Sequence, residues 1–134
     1  SMGVALSSCI VPAAGTPTFT LDATEMEMGV GIHGEPGRKR VPLASADAVA
    51  EELLAAVLGD LQPAVGSPVL LLVNGFGGTP NLELHVMAHA AGRILAARGL
   101  TVARCLVGSY VTSLEMAGCS LTVTTLDERL AAWW

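Results

Sequence analysis

One stretch constrains the fold more than any other: Pro-Val-Leu-Leu-Leu-Val-Asn-Gly-Phe-Gly-Gly-Thr-Pro, residues 68–80. Val69–Val73 is an unbroken apolar run, which suits a strand covered on both faces. Asn74–Gly78 reads as a loop. Thr79 can cap the helix that follows, with Pro80 at its first position. Leu84, Met87, Ala91, Ile94 and Leu95 carry that helix to about Arg98, and Gly99 stands where a C-terminal glycine stop belongs. A buried strand that runs through a short loop into an amphipathic helix is a unit of α/β architecture.

The rest of the chain fits around that unit. Gly3–Cys9 reads as a short strand ended by Pro12, Pro17–Leu21 as extended chain, and Asp22–Thr24 as a turn. Residues 25–33 alternate in polarity as a strand does. Residues 34–42, holding Arg38, Lys39 and Arg40, read as a mobile basic segment. Ser45 is placed to cap a helix whose stripe is Val49, Leu53, Val57 and Leu61. Residues 62–68 break it. Thr101–Val107 and Gly118–Leu126 are two further strands, residues 109–117 a loop or short helix, and a last short helix ends in Trp133-Trp134. Residues 1–134 make one α/β domain around one sheet.

Composition narrows the classes of function. The chain is 51% hydrophobic and 14% charged, where average chains carry about 25% charged residues. That lean surface implies a covering partner or a place in something larger. A formal net charge of −5 argues against a nucleic-acid partner. No apolar run has the length of a membrane span, and the opening SMGVALSS lacks the basic n-region of a secretory signal. Cys9, Cys105 and Cys119 are odd in number and form no CxxC pair. They read as buried thiols in a reducing compartment rather than as a disulfide or zinc framework.

Candidate chemistry centres on the run Met26–His33. In an alternating strand Met26, Met28, Val30 and Ile32 pack on one side, while Glu27, Gly29, Gly31 and His33 share the other. Glycines on one face of a strand mark close approach by a ligand or another backbone. His33 then has room to act as acid, base, metal ligand or nucleophile. It reads equally as a histidine that bonds a turn carbonyl. Glu35 can orient the His33 ring, or be a solvated turn residue. Arg38–Arg40 can meet a phosphate, or form a solvated run. The NGFGGTP loop before a helix suits an anion, but it is neither GxGxxG nor GxxxxGK[ST], and a glycine turn for close packing reads as well. His85 and His89 have a metal-compatible spacing without a third ligand, and read as a surface pair. Tyr110, Thr112 and Glu115 could line a cleft.

Four blocks, GVALSSC, MGVGIHGEPG, LLVNGFGGTPNLEL and RCLVGSYVTSLEMAGCSLT, together resemble the dihydroxyacetone kinases. The resemblance is to the second half of the substrate-binding K subunit, or K domain, and covers essentially the whole chain in order. It implies an α/β domain with a mixed sheet flanked by helices, and a cytoplasmic protein. It implies that His33 binds dihydroxyacetone covalently as a hemiaminal; Gly29 and Gly31 then give the space, and Glu35 is the nearest candidate in sequence to orient the ring. The family's catalytic aspartate and a second histidine belong to the first half of the subunit. ATP, or partner-bound ADP/ATP, with Mg belongs to a nucleotide-binding L domain or subunit. So the resemblance implies no cofactor or metal on this chain, and inactivity when it is alone. Its partners are the first K half, the L domain or subunit and a second copy, in a homo-oligomer. Relatives of the K subunit that sense the triose and control a transcription regulator give the alternative, non-enzymatic role.

Overall fold

The computed structural model describes residues 1–32 and 37–134. Six strands form one sheet: β1 (Met2–Ala5), β2 (Glu25–Met28), β3 (Lys39–Pro42), β4 (Pro68–Gly75), β5 (Thr101–Gly108) and β6 (Gly118–Thr125). Their order is β3-β2-β1-β6-β4-β5. β4 and β5 are parallel, and α2 (Asn81–Ala97) makes the crossover that a parallel pair requires. The other neighbours pair antiparallel, so the sheet is mixed. The α/β architecture read from the sequence is the architecture observed. No helix among the described residues is long and apolar enough to cross a membrane.

The main core lies on one face of the sheet. Val4, Met28, Val69, Leu71, Val73 and Leu121 meet Val49, Leu53 and Leu54 of α1 (Ala46–Leu61) and Leu84, Ala91 and Leu95 of α2. Because side chains alternate along a strand, Leu72, Asn74, Ser120 and Thr122 face the other way. Helices therefore cover one face of β4, not both as its apolar run suggests, and Leu70 and Leu72 are only half-buried. At one end of the second face Ala5, Cys9, Val30, Phe76 and Met116 form a smaller cluster, with Phe19 and Ile32 packed against it.

Local signals explain most element ends. Ser45 Oγ accepts from the Ala48 N–H at 3.3 Å and caps α1. Val49, Leu53 and Val57 are buried as expected, whereas Leu61 on the last turn is exposed. Gly99 follows α2 and donates its N–H to the Ala96 carbonyl at 2.9 Å. Thr79 does not cap α2. The cap position is Pro80, without a side-chain bond, and the Thr79 hydroxyl turns instead to Gly118. Asp127 caps the short α3 (Glu128–Ala132), its carboxylate accepting from Leu130 N–H.

Four readings need correction. The strand expected over 25–33 stops at Met28, because Gly29 takes φ +79, left-handed backbone that ends the ladder. The alternation therefore breaks, and Val30 joins Ala5 and Phe76 in the small cluster instead of lying with Met26 and Met28. Second, part of the segment expected to be mobile is the edge strand β3. Glu27 pairs with Arg40 across the ladder, and their side chains meet at 3.1 Å, while Lys39 reaches Glu52 of α1 at 2.6 Å. Third, Cys9 and Cys119 are buried, but Cys105 on edge strand β5 is exposed. The expected strand Gly3–Cys9 is also shorter, ending at Ala5, and an isolated bridge joins Ile10 to Pro17.

Candidate ligand cleft

A cleft of about 430 Å³ opens on the face of the sheet away from the helices. Leu72, Ser120 and Thr122 of β4 and β6 lie in its floor. Residues 29–32 and Arg38 line one side, and Asn74, Phe76 and Val111 another. Hydroxyl groups, Arg38 and short glycine backbone among apolar walls suit a small polar molecule. Of the residues singled out from the sequence, Gly29, Gly31 and Arg38 line this cleft. His33 and Glu35 lie outside the described residues. Gly29 has a further demand on it. A Cβ added there meets Arg38 Cγ at 2.7 Å, on backbone that side chains rarely adopt.

The other wall depends on Asn74, which the sequence reading left as the start of a loop. Asn74 is the last inward-facing position of β4 on the cleft face and is 4% exposed. Its Oδ1 accepts from Tyr110 N–H at 3.0 Å and Val111 N–H at 2.8 Å. Its Nδ2 donates to the Val111 carbonyl at 2.7 Å. One carboxamide thus holds the loop between β5 and β6. The signal available was a polar amide placed directly after a buried apolar run, where an unpaired polar group is costly.

The rest of NGFGGTP continues the same join. Ser113 N–H donates to the Phe76 carbonyl at 2.7 Å, and Gly78 N–H to the Met116 carbonyl at 2.8 Å. Side chains at Gly77 and Gly78 would run into the Leu114 and Glu115 carbonyls. The glycines let two loops lie against each other, which is the close-packing reading of this motif. The first turn of α2 opens on a separate recess of about 240 Å³ among Leu6, Leu43, Val86 and Glu83.

The remaining candidates do not converge on the cleft. His85 and His89 are exposed on α2. No group of three or more metal-ligating side chains occurs among the described residues. Glu115 accepts from Ile10 N–H at 2.6 Å and so ties down the β1–β2 connection. Tyr110 and Thr112 are exposed on the loop, and their neighbour Val111 is the one that lines the cleft. Within 38–40, Arg38 reaches the cleft, while Lys39 and Arg40 pair with glutamates.

Comparison with known proteins places the chain in a family. A family model described as the Dak1 domain matches residues 1–134. A Listeria innocua serovar 6a protein named PTS-dependent dihydroxyacetone kinase 1, dihydroxyacetone-binding subunit DhaK, is 43% identical over 129 residues, 96% of this chain and 39% of its own. The D-erythrulose kinase of Mycolicibacterium smegmatis is 42% identical over 134 residues, all of this chain and 23% of its own. Among solved structures, the dihydroxyacetone kinase operon co-activator Dha-DhaQ superposes with a TM-score of 0.89 at 32% identity, over 98% of this chain and 41% of that one. The chain thus spans well under half the length of these proteins.

Proposed function

This chain belongs to the Dak1 domain family, and we propose that it serves in a kinase as part of the portion that holds dihydroxyacetone while a phosphoryl group is transferred to it. The observation that carries the proposal is the 430 Å³ cleft, lined by the residues that lead directly to His33. In the proposed chemistry the unprotonated nitrogen of a neutral His33 imidazole attacks the C2 carbonyl. A C–N bond forms, the carbonyl π pair moves to oxygen, and oxygen takes up a proton as the other ring nitrogen gives one up. The product is a hemiaminal with both hydroxymethyl arms intact, one of which receives the phosphoryl group. Glycerol has no carbonyl and is rejected at this step. Gly29 and Gly31 leave room beside the ring, and Glu35 orients it.

The remaining parts of the reaction lie elsewhere in this proposal. The first half of the K domain supplies the catalytic aspartate. A nucleotide-binding L domain or subunit brings ATP, or ADP/ATP, with Mg. The protein acts in the cytoplasm as a homo-oligomer. The likeness to the co-activator supports a second reading, in which the same ketose site serves a non-enzymatic sensor that controls a transcription regulator.

Dihydroxyacetone labelled with carbon-13 at C2 tests the shared core of both readings. Bound to the wild-type full-length protein, the label is expected to move from a ketone to a tetrahedral shift, and to stay ketone-like in His33→Asn. A tetrahedral signal that persists in His33→Asn assigns the nucleophile to another residue. Turnover with a phosphoryl donor then separates kinase from sensor.

A further inference from the structure

On the reading that the cleft receives a small ketose, we infer that Val111, held in place by Asn74, sets the carbon-chain length of the ketose accepted. Val111 is half exposed, lies on the loop after β5 rather than in the sheet, and still lines the cleft. Both its backbone groups are taken by one carboxamide: its N–H by Asn74 Oδ1 at 2.8 Å, its carbonyl by Asn74 Nδ2 at 2.7 Å. A planar amide that grips a residue at two points fixes that residue's position and orientation together. The grip itself is rigid, because Asn74 is 4% exposed on a central strand. The cleft also includes Gly29 and Gly31, which offer a ligand backbone and no side chain. Leu72 belongs to a strand and Phe76 is 1% exposed, whereas Val111 is an apolar wall residue on the surface whose size can change without disturbing the core.

A cleft of about 430 Å³ lies within the range that holds larger ligands, so the wild-type wall leaves space for a fourth carbon. One carbon more or less against an apolar wall is worth about 10–200-fold in selectivity. Filling the wall should therefore exclude a four-carbon ketose before a three-carbon one.

Calorimetric titration of the full-length protein with dihydroxyacetone and with erythrulose tests this. Wild type should bind the two within about ten-fold of each other. Val111→Phe should weaken erythrulose at least ten-fold more than dihydroxyacetone. In Asn74→Ala/Val111→Phe that added selectivity should fall at least three-fold, because the new ring is no longer held against the cleft. Equal weakening of both ketoses by Val111→Phe overturns the role of Val111. Full selectivity retained in the double variant overturns the role of Asn74. Val111 is a surface position, so its variant decides the first point even where the double variant melts. Wild-type protein that binds neither ketose overturns the functional reading itself, and this inference with it.

Discussion

Thr79 and Gly118 are joined twice through one hydroxyl. Thr79 Oγ1 donates to the Gly118 carbonyl at 3.0 Å and accepts from the Gly118 N–H at 2.7 Å. The Gly118 carbonyl has a second donor in Phe76 N–H at 3.1 Å, but for the Gly118 N–H the hydroxyl is the hydrogen-bond acceptor. Thr79→Val keeps the shape and strands that buried donor. A loss of about 1–3 kcal/mol in urea unfolding is expected, with most of it recovered in Thr79→Ser. Equal stability of Thr79→Val and wild type would show the bond to be dispensable.

Two glycine classes should respond to alanine in opposite directions. Gly77 has φ +124 and faces the Leu114 carbonyl, so Gly77→Ala should destabilise by at least about 2 kcal/mol or prevent folding. Gly59 lies inside α1 with open space where a Cβ would go. Gly59→Ala should stabilise by up to about 1 kcal/mol through helix propensity. Thermal melts of the two variants beside wild type read both signs.

Inside an alternating strand, valine at Gly29 would suit the backbone and disturb only ligand binding. The φ of +79 and the nearby Arg38 stem reverse the first half of that expectation. Gly29→Val should lower the melting temperature by several degrees, a shift that corresponds to about 1 kcal/mol or more in a domain this size. A variant that melts with wild type and has lost only ketose binding would restore the original view.

Burial pushes the Cys119 thiol up to about 11, from 9.0 when free. The folded state thus holds its proton more tightly than the unfolded state. The resulting stability is complete below pH 9 and drains away as pH rises towards 11, with a slope of at most about 1.4 kcal/mol per pH unit. Cys119→Ala loses packing at every pH but should lose this component of the slope. Parallel stability curves for the two proteins between pH 9 and 11 would contradict it. In native protein, a thiol reagent should label exposed Cys105 well before Cys9 or Cys119.

Those features that rest on one chain segment were legible in the sequence. Ser45 announces the start of α1, Gly99 the end of α2, and the run after Pro68 a central strand. What escaped depends on partners far along the chain. Lys39 and Arg40 look like a solvated run until Glu52 and Glu27 are beside them, and their charges then hold an edge strand in place. Gly29 fits a polarity pattern equally well inside a strand or as its stop, and only the turn towards Phe76 decides. Thr79 stands where a cap belongs, but Gly118 competes for its hydroxyl and wins with two bonds. Asn74 was hidden because its three bonds all go to residues 110 and 111, on a loop whose course the sequence pattern left open.

The place of β1 has a consequence for how the chain reaches this form. Met2 lies opposite Leu121 and Val4 opposite Cys119, so neighbours in the middle of the sheet are far apart along the chain. β2 and β3 can zip early, as can the β4–α2–β5 unit, because their contacts are local. These two halves become one sheet only when β6 settles between β1 and β4. Closing so long a loop carries its entropy cost before the pairing rewards it, which makes this the slow step. During synthesis β1 must wait, with one edge unfinished, until β6 has been made.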